Sequence, residues 1–179
     1  MTIIALDFET ANPKRSSACA LGLVVFDHNR IRYEWSTLIN PEQEFSGINI
    51  GIHGIRPDDV ANAPTVKRLV RELWPVMDGA TFASHSSFDV GVVNAISQTA
   101  GVRPPNSFWL DSCEIARNLW TNLPNHKLNT VCAHLKFEFR HHDALDDARA
   151  CCHILRTAME FMSNDSIQLR KRFGRPSRH

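Results

Sequence analysis

The chain opens on Ile3-Ile4-Ala5-Leu6-Asp7-Phe8-Glu9-Thr10, an apolar run that closes on two acids one residue apart. Such a run reads as a buried strand. Successive side chains of a strand leave opposite faces, so Asp7 and Glu9 share one face while Phe8 turns the other way, into the core. Carboxylates at two inward positions carry a large desolvation cost. A strand end in solvent escapes that cost, and so does ligation of a hard cation. An isolated Asp-x-Glu does not choose between the two.

The remaining pattern constrains what this strand joins. Residues 18–27 form a second apolar run, His28-Asn29-Arg30 reads as a turn, and residues 31–39 alternate through Tyr33, Trp35 and Thr37. Short connections make these three an antiparallel meander. A loop is expected over residues 40–57, which hold Gly47, Gly51 and Gly54. Helical spacing follows at 64–77, a short strand at 80–84, a helix at 88–101 and a strand at 108–111. Helices are then expected at 113–120, 128–135 and 144–162, the last with Asp143 as N-cap. A meander followed by alternating strands and helices predicts an α/β fold, a mixed five-stranded sheet flanked by helices. Residues 1–163 are expected to form this one domain, and residues 164–179 a flexible basic tail.

Composition narrows the function classes. With 179 residues, 43% hydrophobic and 22% charged, the chain suits one globular domain. No apolar run reaches membrane-spanning length, and Met1-Thr2-Ile3-Ile4 lacks a basic signal-peptide start, so the expected compartment is cytoplasmic. Five cysteines with no Cys-x-x-Cys pair suggest reduced thiols rather than a disulfide framework, and the histidine spacing does not suggest zinc. The net charge is +1, but Arg170, Lys171, Arg172, Arg175 and Arg178 lie near the C-terminus and leave the body mildly acidic. That is not the profile of a broad duplex-binding face. Trp74, Trp109 and Trp120 fall in apolar patterns and read as core.

Two further motifs carry acids. Asp89 ends His85-Ser86-Ser87-Phe88-Asp89, between a strand and a helix, where ligand-facing groups often sit. Asp147 lies five residues after His142 in His142-Asp143-Ala144-Leu145-Asp146-Asp147, at a helix start. Each also has a plain structural explanation as a helix N-terminal acid. Gathered in one pocket, Asp7, Glu9, Asp89 and Asp147 would repel one another unless cations neutralised them. Two divalent ions about 4 Å apart form a clamp for in-line attack on a phosphodiester. A neutral His142 nearby has the basicity to take a proton from an attacking water.

The ordered set Asp7-x-Glu9, then His85 to Asp89, then His142-x-x-x-x-Asp147 resembles the DEDDh 3′→5′ exonuclease family over about residues 2–160. Ile52-His53-Gly54-Ile55 is similar to the H-G-I loop of its proofreading branch. The resemblance implies a ribonuclease-H-like fold and two Mg²⁺ or Mn²⁺ ions held by Asp7, Glu9, Asp89 and Asp147. It implies His142 as general base and a nucleoside 5′-monophosphate as product. Thr10 and His53 would contact the 3′-terminal nucleotide, with Phe8 or Ile55 packing on its sugar or base. The implied partners are single-stranded or frayed 3′ ends of DNA and a polymerase or other replication or repair protein. RNA trimming and a non-catalytic end-binding module are the alternatives, and a homodimer is left open. Ser86 departs from the family's usual Asn and lacks an amide's reach.

Overall fold

The computed structural model describes residues 2–27, 30–162 and 166–176. Its strands are β1 (Ile3–Thr10), β2 (Ala18–Phe26), β3 (Ile31–Leu38), β4 (Thr81–Ser84), β5 (Phe108–Asp111) and β6 (Arg175–Pro176). Its helices are α1 (Gly47–His53), α2 (Pro57–Val60), α3 (Val66–Met77), α4 (Phe88–Ala100), α5 (Ser112–Leu119), α6 (Leu128–His134), α7 (Ala144–Phe161) and α8 (Ser166–Phe173). The sheet order is β3-β2-β1-β4-β5-β6. β1, β2 and β3 form the antiparallel meander, and β4 and β5 add in parallel beside β1.

The sheet is mixed, as expected, but has six strands rather than five. The sixth is two residues long and pairs antiparallel with β5. Pro176 fits there because an edge strand does not need every ladder donor. Residues 166–176 are therefore not the free tail expected from sequence. Leu169 and Phe173 of α8 are buried in the same core cluster as Trp120, Leu155 and Met159, and Arg175 forms an ion pair with Glu114. The rest of the expected tail lies outside the described residues.

Helices cover both faces of the sheet. On one face Ile3, Ala5, Val24, Ala83 and Leu110 pack with apolar residues of α5, α6, α7 and α8. On the other, Leu6, Phe8, Leu21, Phe82 and Trp109 pack with α3 and α4. The alternation along β1 is the sequence pattern in three dimensions: Ile3, Ala5, Asp7 and Glu9 look toward α7, while Leu6 and Phe8 look toward α3 and α4. Near the sheet's centre, β4 is buried along its whole length, whereas β3 is an exposed edge.

The segment expected to be a loop over 40–57 holds α1 and the start of α2. Its glycines masked a short helix that is fixed at both ends. Ser46 accepts from the Asn49 amide, and Gly54 closes α1 in the left-handed conformation at φ 79°. Ala11, Cys19 and Val60 form a small core beneath it with Phe45 and Ile55. Trp74, Trp109 and Trp120 are buried, and all five cysteines are buried and free. Among the described residues, no helix is long and apolar enough to cross a membrane.

Candidate active site

The site forms where the end of β1 meets the N-terminal turns of α4 and α7. Ligand oxygens of Asp7, Glu9 and Asp147 lie within 4.8 Å of one another. Asp89 enters from α4, and its Oδ1 accepts the Phe8 amide at 3.1 Å. That bond ties the second motif directly to the first. Asp89 and Asp147 are only 3% and 4% exposed.

Gly22 explains how α7 reaches this point. It pairs with Asp7 across β1 and β2, and a Cβ at Gly22 would overlap the Ala144 carbonyl oxygen and the Leu145 amide nitrogen. The missing side chain lets the first turn of α7 settle on the sheet beside Asp7. A glycine inside a strand is a signal of such close backbone approach, and sequence reading passed it over. Asp143 caps α7 as expected, accepting the Asp146 amide.

Electrostatics distinguish this cluster from acids at an ordinary strand end. Burial, then Asp89, Asp147 and Glu9, push Asp7 well above the usual carboxylate range. Burial, then Asp147 and Asp89, raise Glu9 to about 8. Burial raises Asp89 to about 7 against the opposing pull of the Phe8 amide. Asp147 is also raised by burial, although His141 and the His142 amide favour its charged form. Crowded carboxylates with suppressed ionisation are the expected cation-free state of a divalent cation site, because a cation replaces the protons. The donor set, all carboxylate oxygen, fits Mg²⁺ or Mn²⁺.

His142 lies at the mouth. Its backbone is left-handed at φ 67°, and its amide donates to Asp147 Oδ2 at 3.0 Å. Non-glycine residues seldom adopt that conformation, and the bond to Asp147 holds it. Its ring is stacked on His141, centroids 3.9 Å apart. Burial, then His141, lower the His142 pKa and favour the neutral ring. His141 was not anticipated, yet its Nδ1 contacts Asp147 Oδ1 at 3.1 Å, and the two histidines with Asp147 form a second group of clustered ligand atoms. The tandem His141-His142 was the available signal.

The remaining expected substrate contacts divide. His53 Nδ1 accepts the Ile55 amide, so Nε2 carries the proton and donates to the Thr10 carbonyl at 3.1 Å. Asn49 Nδ2 donates to the same carbonyl at 2.8 Å. His53 thus presents its carbon edge rather than a free nitrogen. With Ile52, Ile55, Arg140 and His142 it lines a cleft of about 940 Å³. Phe8 does not line it. Its side chain is 3% exposed within the core, and its contribution to the site is its amide. Thr10 is nearly buried and offers its carbonyl to α1.

His85 is structural. Its Nδ1 meets Ser112 Oγ at 2.8 Å and its Nε2 meets the His126 carbonyl at 2.9 Å, fastening the turn before α4 to α5. Ser86 accepts the Phe88 amide at 3.1 Å and so caps the turn that delivers Asp89.

Known proteins share this architecture. The RNase_T family model, described as Exonuclease, matches residues 4–155. A PolC-type DNA polymerase III of Bacillus cereus is 30% identical over 158 residues, covering 86% of this chain and 11% of that protein. The chain thus spans a small part of the curated relatives it matches. Exonuclease X in complex with 5′-overhanging duplex DNA superposes with a TM-score of 0.76 at 20% identity, covering 93% of this chain and 96% of the other. The nuclease domain of 3′hExo, a DEDDh family member bound to rAMP, superposes at 0.75 with 18% identity, covering 89% and 92%. The superpositions establish a common fold.

Proposed function

Since the chain belongs to the DEDDh 3′→5′ exonuclease family, we propose that it is a metal-dependent 3′→5′ exonuclease releasing nucleoside 5′-monophosphates from DNA ends. The observation that carries this reading is the convergence of Asp7, Glu9 and Asp147 within 4.8 Å, with Asp89 tied to the same strand end. Asp7, Glu9, Asp89 and Asp147 would hold two Mg²⁺ or Mn²⁺ ions, which supply charge neutralisation and stabilise the attacking and leaving oxygens of a phosphodiester.

The chain's own residues supply the rest. His142, kept neutral at the mouth, accepts a proton from the attacking water as general base. Its left-handed backbone, anchored on Asp147, sets where the imidazole can reach. His53 and Asn49 hold the Thr10 carbonyl and so fix α1 beside the end of β1. The cleft between α1 and the start of α7 is where the 3′-terminal nucleotide would lie, with Ile55 and the carbon edge of His53 against it. The body's mild acidity agrees with a site that grips a chain end through cations rather than a long duplex through basic residues.

The test is digestion of a 5′-labelled single strand with Mg²⁺. A ladder that shortens from the 3′ end, and that Asp7→Ala abolishes, supports the reading. No shortening, or a ladder indifferent to Asp7→Ala, overturns it. Matched DNA and RNA strands run in parallel decide between the DNA reading and an RNA-trimming activity on the same scaffold. The PolC-type relative supports a polymerase as the expected replication or repair partner.

A further inference from the structure

The two histidines at the mouth of the site offer a different chemistry from the carboxylates behind them. Successive side chains of an extended segment diverge. The left-handed backbone of His142, at φ 67°, instead lays its ring alongside that of His141, with centroids 3.9 Å apart and planes 15° from parallel. His141 Nδ1 faces both oxygens of Asp147, at 3.1 and 3.2 Å. One nitrogen of each ring and one oxygen of Asp147 lie within 4.8 Å of one another. Asp147 is buried, whereas both histidines are exposed and line the cleft. An ion can therefore reach the group from solvent.

Ligand atoms on a tetrahedral Zn²⁺, with bonds of about 2.0–2.1 Å, stand about 3.3 Å from one another. His141 and Asp147 are already close to that separation. His142 can close the remainder by turning its exposed ring. Its amide is held by Asp147, and among the described residues no hydrogen bond engages its ring nitrogens. Imidazole nitrogen suits Zn²⁺, whereas Mg²⁺ favours an all-oxygen set such as Asp7, Glu9 and Asp89. Asp147 belongs to both sets. Spacing along the sequence hid this group, because the two histidines are adjacent and only the left-handed turn brings their rings to one side.

We propose that His141, His142 and Asp147 bind one Zn²⁺, and that this ion switches the exonuclease off. Zinc on His142 occupies the lone pair that the imidazole needs to act as a base. Zinc on Asp147 withdraws one oxygen donor from the carboxylate set. The switching rests on the exonuclease reading, and the zinc site itself does not.

The experiment is equilibrium dialysis against Zn²⁺ in the Mg²⁺ buffer of the nuclease assay, for the wild type and for His141→Phe. The variant keeps a stacked ring and removes its nitrogens. The wild type retains one Zn²⁺, and His141→Phe binds it at least about tenfold more weakly, since even the supporting groups of zinc sites contribute that much. Mn²⁺ affinity, measured without Mg²⁺, falls by less, because the carboxylates are untouched. On a 5′-labelled single strand, the Zn²⁺ concentration for half-inhibition rises in His141→Phe by the same factor as the dissociation constant, each protein scored against its own zinc-free rate. Equal Zn²⁺ affinity in the two proteins overturns the site, as does a wild type that retains no Zn²⁺, or equal loss of Zn²⁺ and Mn²⁺ affinity. Weaker zinc binding with unchanged half-inhibition overturns the switch. A wild type that holds Zn²⁺ through His141 yet leaves the strand uncut in Mg²⁺ alone overturns the exonuclease reading, and the zinc site stands without it.

Discussion

Gly22 in β2 and Ala144 at the start of α7 are packed backbone to backbone, with no room for a Cβ between them. Asp7 pairs with Gly22, and Asp147 lies in the first turn of α7, so this contact sets the separation of two carboxylates on different elements.

Gly22→Ala must therefore displace the α7 N-terminus, since the obstructing atoms are backbone and cannot rotate away. The expected cost is about 1–3 kcal/mol, typical of overpacking. Thermal melting should fall by several degrees, and Mn²⁺ affinity should weaken because Asp147 moves relative to Asp7. An unaltered melt with unaltered Mn²⁺ affinity would show that α7 is not seated by this contact.

His142 and Asp147 are assigned different tasks. His142→Ala should lower turnover about 10²–10⁴-fold, the range of general-base catalysis, while Mn²⁺ binding is largely kept. Asp147→Asn should weaken Mn²⁺ binding itself. Calorimetric titration of both variants separates the roles, and equal loss of metal in each would refute the general-base assignment.

The raised carboxylates make stability without metal depend on pH. Glu9 is raised to about 8 and Asp89 to about 7, and Asp7 and Asp147 shift in the same direction. Between the ordinary carboxylate range and about pH 8 the folded state holds protons that the unfolded chain has released. Stability from these groups is thus full below the unfolded pKa values and is lost as pH rises through the folded ones. In EDTA, melting should drop from about pH 5 to about pH 8, less steeply in Glu9→Gln. Mg²⁺ should raise melting most at the higher pH. A melt in EDTA with the same pH slope in wild type and Glu9→Gln would contradict the charge crowding.

His53 holds the Thr10 carbonyl and the Ile55 amide at once. His53→Ala releases both, leaving the carbonyl to Asn49. Steady-state kinetics on a single strand should show KM rising several-fold with a smaller change in kcat, as expected when substrate positioning and not charge stabilisation is lost. A fall in kcat at constant KM would place His53 in the chemistry instead.

The sequence made some elements legible almost to the residue and hid others for physical reasons. β1 and β5 are short apolar runs with sharp polar limits, and α7 announces itself through a long apolar stripe and the Asp143 cap. α1 did not, because its three neighbouring glycines argue for a loop, and it depends on Ser46, Gly54 and the Asn49 tether to Thr10. α8 carries only Leu169 and Phe173 as described buried anchors amid arginines and lysine, a weak signal that its tertiary contacts complete. In the site, shared strand geometry paired Asp7 with Glu9, and motif order brought in Asp89 and Asp147. Phe8, expected with Ile55 as a packing surface for the terminal nucleotide, is buried and faces Asp89 with its amide, a group that no side-chain pattern reveals. His141 was passed over beside His142, since two adjacent histidines do not say which one reaches Asp147.

Titration of the cation-free protein with Mn²⁺, wild type against Asp7→Asn, tests the central claim most directly, that four carboxylates from β1, α4 and α7 act as one cation site. The wild type should bind two ions, and neutralising the shared Asp7 should remove at least one and weaken the other. Indistinguishable isotherms for the two proteins would contradict it.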